Sequence, residues 1–379
     1  MTTVLGEAGP MVRSDVRVTV SDSPRLTVVV RSSVESMYGD SIRQQTLETL
    51  ESLGNPGVTV ELDDSGALPF VLQARLEAAL CHHLSLARRK CPAATRPNTR
   101  DRNRRTRLYV PGNDPKYFPN AGLFGADGIV LDLEDSVAPE NKLAARSLVG
   151  HALATLDFGR SEAIVRVNSG SMGLEELEEL ATLGVGSFLL PKVESADQVA
   201  EAEGVLDKLG SDAFLIPLVE SALGAELAFQ ICGSSTRIVA IAIGLEDYLA
   251  DIGGTRTEEG RETLWLHGRI VNAACAAGVA PLASVYPDVD NLDGLHDYTV
   301  RAKTMGLKGV GCIHPRQVST VHHAFAPSND QLSQARAIVA DFEDAMSRGT
   351  AAIKVNGKMV DQPVYLRALE TLKRAEVAL

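Results

Sequence analysis

The sequence predicts an α/β fold, a (β/α)8 barrel preceded by a small α+β domain. Two observations lead there: from about residue 107 short apolar runs alternate with helix-capable stretches, and the first 80 residues follow a different rhythm. A chain of 379 residues suits a barrel plus an appendage, and 45% hydrophobic content is ample for a large core.

Within the first 80 residues, Asp15–Val20, much of Leu26–Val30 and Val58–Leu62 alternate apolar and polar positions as strands do. Between them Tyr38, Ile42, Leu47, Leu50 and Leu53 recur near helical spacing, and Gly54-Asn55-Pro56-Gly57 stops the helix. Pro69–Leu80 opens a second helix-capable run. Arg88–Arg107 then concentrates nine arginines and lysines around Pro92 and Pro97. Such like charge with proline reads as an extended, solvated linker, or alternatively as a guide for an anionic phosphate moving toward the barrel. Eight apolar runs follow: Arg107–Val110, Gly128–Glu134, Ala163–Asn168, Phe188–Val193, Phe214–Glu220, Val239–Gly244, Pro281–Tyr286 and Gly309–His314. Leu174–Leu183 and Ala196–Leu209 are examples of the intervening helices.

A formal charge of −12 argues against nucleic-acid binding. No apolar run reaches the roughly 18 residues of a membrane-spanning helix, and the first residues lack a secretory pattern. Five scattered cysteines without CxxC spacing read as reduced thiols, so a cytoplasmic setting is expected.

In a parallel barrel the loops after the strands form the open mouth, where functional residues collect. Five consecutive runs end in polar residues: Asp132, Glu134 and Asp135; Arg166 and Asn168; Lys192 and Glu194; Glu220; and Glu246 with Asp247. Glu220 and Asp247, from adjacent strand ends, offer two carboxylates to a hard divalent cation, Mg2+ or alternatively Mn2+. The sequence carries no HExxH, His cluster or P-loop.

These motifs resemble the citrate lyase beta subunit and the malyl-, citramalyl- and citryl-thioester lyases of the HpcH/HpaI aldolase superfamily. The matching stretches are RLYVPGN (Arg107–Asn113), GIVLDLEDSVAPENK (Gly128–Lys142), IVRVNS (Ile164–Ser169), LPKVES (Leu190–Ser195), LVESALG (Leu218–Gly224), IGLEDY (Ile243–Tyr248), IHPRQV (Ile313–Val318) and NGKMVDQP (Asn356–Pro363). The first 80 residues resemble the citrate lyase acyl carrier (gamma) subunit through SSVESMYGDSIR (Ser32–Arg43) and VELDDSGALPFVLQARLEAAL (Val60–Leu80). The resemblance divides the chain into a carrier-like domain (1–82), a basic linker (83–106), a lyase barrel (107–330) and a C-terminal helical segment (331–379).

The resemblance implies a Mg2+-dependent carbon–carbon lyase acting on a 3-hydroxyacyl thioester of CoA or of a carrier. It assigns Glu220 and Asp247 to the metal and Arg166 to the developing charge. Glu134 and Asp135 hold metal-bound water or orient Arg166, and Tyr109 and Pro111 flank the thioester. Asp361 is the acid–base group, reaching a neighbouring subunit's site, which implies a homo-oligomer, a trimer or hexamer. Residues on its own chain read Asp361 as a turn or helix-start aspartate. A CoA-transferase partner is the alternative context. In the carrier family a serine bears the prosthetic arm; aligned without a gap, Arg13 takes its place and Ser14 falls one residue late. Either Ser14 serves in shifted register or the module carries no arm, and loss of the arm is the expectation. Substrate choice is expected to lie in loops such as Gly170–Gly173.

Overall fold

The computed structural model describes residues 2–86, 91–350, 352–355 and 357–376. Four strands, β1 (Thr2–Leu5), β2 (Val16–Asp22), β3 (Thr27–Ser32) and β4 (Val58–Asp64), form the N-terminal sheet in the order β1-β2-β4-β3. β3 and β4 run parallel and are joined through helix α1 (Glu35–Ser52), while β2 pairs antiparallel with both β1 and β4. Burial alternates along β2 and β4, so Val16, Val18, Val20, Val58, Val60 and Leu62 form one apolar face.

Helix α2 (Pro69–His83) covers that face and does more. Leu72, Leu76, Ala79 and Leu80, at helical spacing, close the small core, while Phe70, Val71 and Ala74 on another face belong to the core of the barrel. The helix packs on α3 (Lys142–Thr155), where Ser147 Oγ donates to the Ala74 carbonyl (3.0 Å) and His151 meets Glu77 (3.0 Å).

Eight parallel strands make the second sheet: β5 (Thr106–Pro111), β6 (Gly128–Asp132), β7 (Glu162–Arg166), β8 (Ser187–Leu190), β9 (Phe214–Val219), β10 (Ala240–Ile243), β11 (Ala280–Leu282) and β12 (Val310–Cys312). β12 pairs with β5, and a bridge between Val285 and Gly311 brings the β11 end of the sheet against β12, nearly closing the ring. Observed strands end sooner than the apolar runs at β7, β11 and β12, because their last residues turn into the mouth loops. Alternation sorts each strand: Ile129 and Leu131 face the helices, as do Ala163 and Val165, whereas Val130, Ile164, Leu189, Ile216 and Leu218 fill the barrel interior. A C-terminal unit follows, with helices Asn329–Ser347 and Gln362–Glu376 flanking a hairpin of β13 (Ile353–Val355) and β14 (Lys358–Val360). No described helix is long and apolar enough to cross a membrane.

The basic segment departs from the solvated reading. Arg88, Arg89 and Lys90 lie outside the described residues, but the remainder binds across the entry ends of the strands, opposite the mouth. Arg96 donates to the carbonyls of Leu153, Leu156 and Leu183, Arg100 to those of Thr236 and Ile238, and Asn98 to that of Gly186. Arg104 forms a bidentate pair with Glu162 (2.7 and 2.9 Å), both side chains almost fully buried. Guanidinium groups suit this task, since each fork can satisfy several carbonyls left over at loop ends. Their position also excludes the reading of a guide toward the mouth. Replacing Arg104 with alanine leaves the Glu162 carboxylate buried without its fork, and is expected to destabilise the barrel by about 3 kcal/mol. Urea denaturation followed by circular dichroism measures it; a loss below about 1 kcal/mol contradicts the account.

Candidate active site

The inward parity of the strands continues past their ends. Val130 is followed two residues on by Asp132, Ile164 by Arg166, Leu218 by Glu220 and Ala242 by Gly244. These positions open into a cavity of about 460 Å³ at the mouth. Of the sequence-derived candidates, Tyr109, Pro111, Asp135, Arg166, Glu220 and Asp247 line it together.

Arg166, the last residue of β7, is the most constrained. Its Nε and Nη2 each donate to an oxygen of Asp132 at 2.7 Å, and Nη1 donates to Asp135 at 3.1 Å. The guanidinium carbon lies 5.5 Å from the centroid of the Tyr109 ring. Asp132 also accepts the backbone N–H groups of Glu134 (2.9 Å) and Ser136 (3.3 Å). Burial by itself raises the Asp132 carboxyl, but the Arg166 fork outweighs it and holds the group below the usual carboxylate range.

Glu134 sits behind the cavity wall. Its Oε1 accepts from Lys192 Nζ (2.7 Å), and Oε2 lies 3.0 Å from Arg166 Nη1 without an aligned hydrogen bond. Burial raises its carboxyl above the ordinary value despite these cations. Lys192 occupies the left-handed region at φ 53°, uncommon for a side chain of this kind. That turn aims its backbone N–H at Glu220 Oε2 (3.0 Å) while its ammonium reaches Glu134.

Glu220 follows β9 and is 5% exposed. Burial first, then the charges of Glu134 and Asp247, push its carboxyl up to about 8. Gly244 makes room for it, since a Cβ there would stand 2.4 Å from Glu220 Oε1. Asp247 lies one turn into the helix Leu245–Ile252, exposed to the cavity, where the helix N-terminus favours negative charge. Neighbouring Glu246 turns away to Arg256 (2.6 Å). Among the described residues no set of three or more His, Cys, Asp or Glu is arranged to chelate a metal. Glu220 and Asp247, the two carboxylates that the sequence puts forward for a metal, both border this cavity.

Two candidates lie elsewhere. Asp361, between β14 and the last helix, accepts the Val364 N–H at 3.2 Å and caps that helix, outside its own chain's cavity. Ser14, at φ 61°, is pinned through its N–H to the Ser65 carbonyl (3.1 Å) in the loop between β1 and β2. Gly170–Gly173 is the first turn of helix Gly170–Leu180 rather than a loop. Asp132 and Lys192 are the contributors to which sequence reasoning gave no role. The parity of β6 was the available signal for Asp132; nothing in the sequence announced the left-handed turn at Lys192.

Comparison with known proteins agrees with this geometry. A family model described as HpcH/HpaI aldolase/citrate lyase matches residues 105–315, and one described as Malonate decarboxylase delta subunit (MdcD) matches residues 6–83. Citrate lyase subunit beta of Leuconostoc mesenteroides subsp. cremoris is 36% identical, covering 73% of this chain and 94% of that protein. The mitochondrial citramalyl-CoA lyase of Homo sapiens is 34% identical over 72% of this chain and 85% of its own. The structure of CitE from Mycobacterium tuberculosis in complex with magnesium, acetoacetate and coenzyme A superimposes with a TM-score of 0.63. It is 33% identical and covers 73% of this chain and all of that one. With its barrel, its strand-end residues and these matches together, the chain belongs to the HpcH/HpaI aldolase/citrate lyase family.

Proposed function

We propose that the chain is a Mg2+-dependent carbon–carbon lyase, cleaving a citryl-, citramalyl- or malyl-type 3-hydroxyacyl thioester to a 2-oxo acid and an acyl thioester. The observation that carries this reading is the convergence of Glu220, Asp247 and Arg166 on one mouth cavity. The similar CitE structure, complexed with magnesium, acetoacetate and coenzyme A, supports the metal and the class of ligand.

The residues fit the cation. Of the described charged residues lining the cavity only Arg166 is positive, against Asp132, Asp135, Glu220, Glu246 and Asp247. Burial first, with Glu134 and Asp247 adding to it, pushes the Glu220 carboxyl up to about 8, and a positive ion in the cavity would offset both causes. When bound, Mg2+ supplies Lewis-acid polarisation and a template for the 2-oxo acid oxygens.

The chain's own groups do the rest. Arg166, locked by Asp132 and Asp135, presents a fixed cation to the enolate charge that appears on the thioester carbonyl as the carbon–carbon bond breaks. Asp132 keeps that fork from turning toward Glu220. Glu134 and Lys192 hold the β8 end of the wall, and Tyr109 and Pro111 form the side against which the thioester lies. The substrate hydroxyl loses a proton and the enolate carbon left by bond cleavage gains one, and we assign both transfers to Asp361 of an adjoining copy in a trimer or hexamer. A reading as a subunit working with a CoA-transferase is supported by the carrier-like match over residues 6–83. For that module we favour loss of the arm: Ser14 is held in a conformation that suits glycine, and exposed Arg13 stands at the attachment position.

Incubation with Mg2+ and citryl-, citramalyl- or malyl-CoA, trapping the 2-oxo acid, is expected to give product from at least one. No product from any, with or without a transferase, sinks the reading. Arg166→Lys keeps the charge but loses the fork, and kcat is expected to fall roughly 100-fold or more. Steady-state kinetics check it.

Glu220 generates a second expectation. Its folded carboxyl holds a proton that the unfolded chain, near 4.5, has already released. Its stability contribution is therefore present below about 4.5 and lost as pH rises through about 8. In EDTA at pH 8, Glu220→Gln is expected to raise Tm by about 2–4 °C, whereas in Mg2+ it abolishes turnover. Scanning calorimetry across pH measures this; parallel profiles for both proteins refute the metal fit.

The inter-subunit role of Asp361 is checked by mixing. Asp361→Ala and Glu220→Gln, each inactive, are expected to recover roughly a quarter of wild-type activity after unfolding and refolding together. Recovery fails if Asp361 acts within its own chain, and an Asp361→Ala variant that is active by itself removes the residue from the chemistry.

A further inference from the structure

Arg75, on α2 of the N-terminal module, is 1% exposed and lies where the module meets the barrel. Its Nε and Nη2 donate to the two oxygens of Asp15, both at 3.0 Å. The far edge of the same guanidinium leaves the module. Nη1 donates to Asn113 Oδ1 at 3.0 Å, and Nη2 donates to the Asn113 backbone carbonyl at 2.8 Å. Asp15 is itself fixed, accepting the N–H groups of Val16 (2.9 Å) and Glu7 (3.2 Å).

Asn113 ends the Pro111-Gly112-Asn113 turn in which β5 leaves the sheet at the mouth. The turn has no slack on its other side. Gly112 N–H donates to the Asp132 carbonyl at 2.8 Å, and a Cβ at Gly112 would lie 2.4 Å from that oxygen. Asp132 in turn holds Arg166. One continuous line of bonds, buried at Asp15 and part-buried beyond Arg75, thus joins Asp15 to Arg166 through Arg75, Asn113, Gly112 and Asp132.

We infer that Arg75 is a positioning residue of the barrel's site, supplied by the N-terminal module. It touches no reacting atom; it holds the turn that walls the thioester side of the cavity. The kinetic part of this inference rests on the lyase reading, whereas the mechanical part does not. Charge-assisted bonds between buried partners such as Arg75 and Asp15 are strong, and a guanidinium fork is the side chain able to serve a carboxylate and a turn at once.

The test uses full-length protein. Arg75→Lys keeps a cation for Asp15, but one ammonium lacks the fork that spans Asp15 and Asn113; Asn113→Ala keeps the Asp15–Arg75 pair. Both are expected to speed amide exchange in the segment 111–117 about tenfold, the loss of roughly one hydrogen bond. Both are expected to raise KM for the thioester about tenfold, with kcat within about threefold of wild type. Unchanged exchange and KM in both, with a lowered Tm for Arg75→Lys alone, confine Arg75 to the fold of the module and overturn the inference. If wild-type protein turns over no thioester, exchange decides alone: faster exchange upholds the tie while the lyase reading fails by itself.

Discussion

The pair between Asp132 and Arg166 is the constraint on which the mouth of the barrel depends. Both leave their strands pointing inward, into a space walled by Tyr109, Leu218 and Val285, where little water competes for either charge. A guanidinium with free rotation would find five carboxylates within the same cavity and could settle on any of them. Two bonds to one rigid partner, itself tied to the backbone N–H groups of Glu134 and Ser136, leave it a single orientation. Glu220 is thereby left facing Glu134 and Asp247 without a side-chain cation of its own, which is the electrostatic condition for taking up an external one.

The arrangement is economical because it is periodic. Alternation along a strand decides which residue enters the barrel, and the barrel's direction decides which end is open. Arg166, Glu220 and Asp247 were therefore legible from position alone, as charges closing apolar runs. Asp132 belonged to the same series and was visible by the same counting, but a carboxylate that serves a neighbour looks no different in sequence from one that serves a ligand. Lys192 was less accessible still. Its contribution comes from a left-handed backbone conformation that local composition does not encode and that directs its N–H to Glu220.

The remaining surprises share a cause: sequence periodicity reports that a face is buried, not against what. Residues 69–80 read as one more apolar, helix-capable run, and the second face that Phe70, Val71 and Ala74 add carried no label for the barrel. The arginines after Pro92 read as solvated because charge density normally means water. The carbonyls that Arg96 and Arg100 satisfy exist only once eight strands have gathered their entry ends side by side. Asp361 illustrates the reverse, since its helix-capping bond is plainly local and any role at a neighbour's mouth belongs to an assembly.

Helix α2 has a consequence for traffic. A carrier that shuttles intermediates between enzymes must detach from each in turn, on a tether long enough to visit them. Here the helix that completes the small sheet's core is also one side of the barrel's, so undocking would strip apolar surface from both. The module is packed against its own barrel through a shared helix, an arrangement unlike that of a detachable carrier.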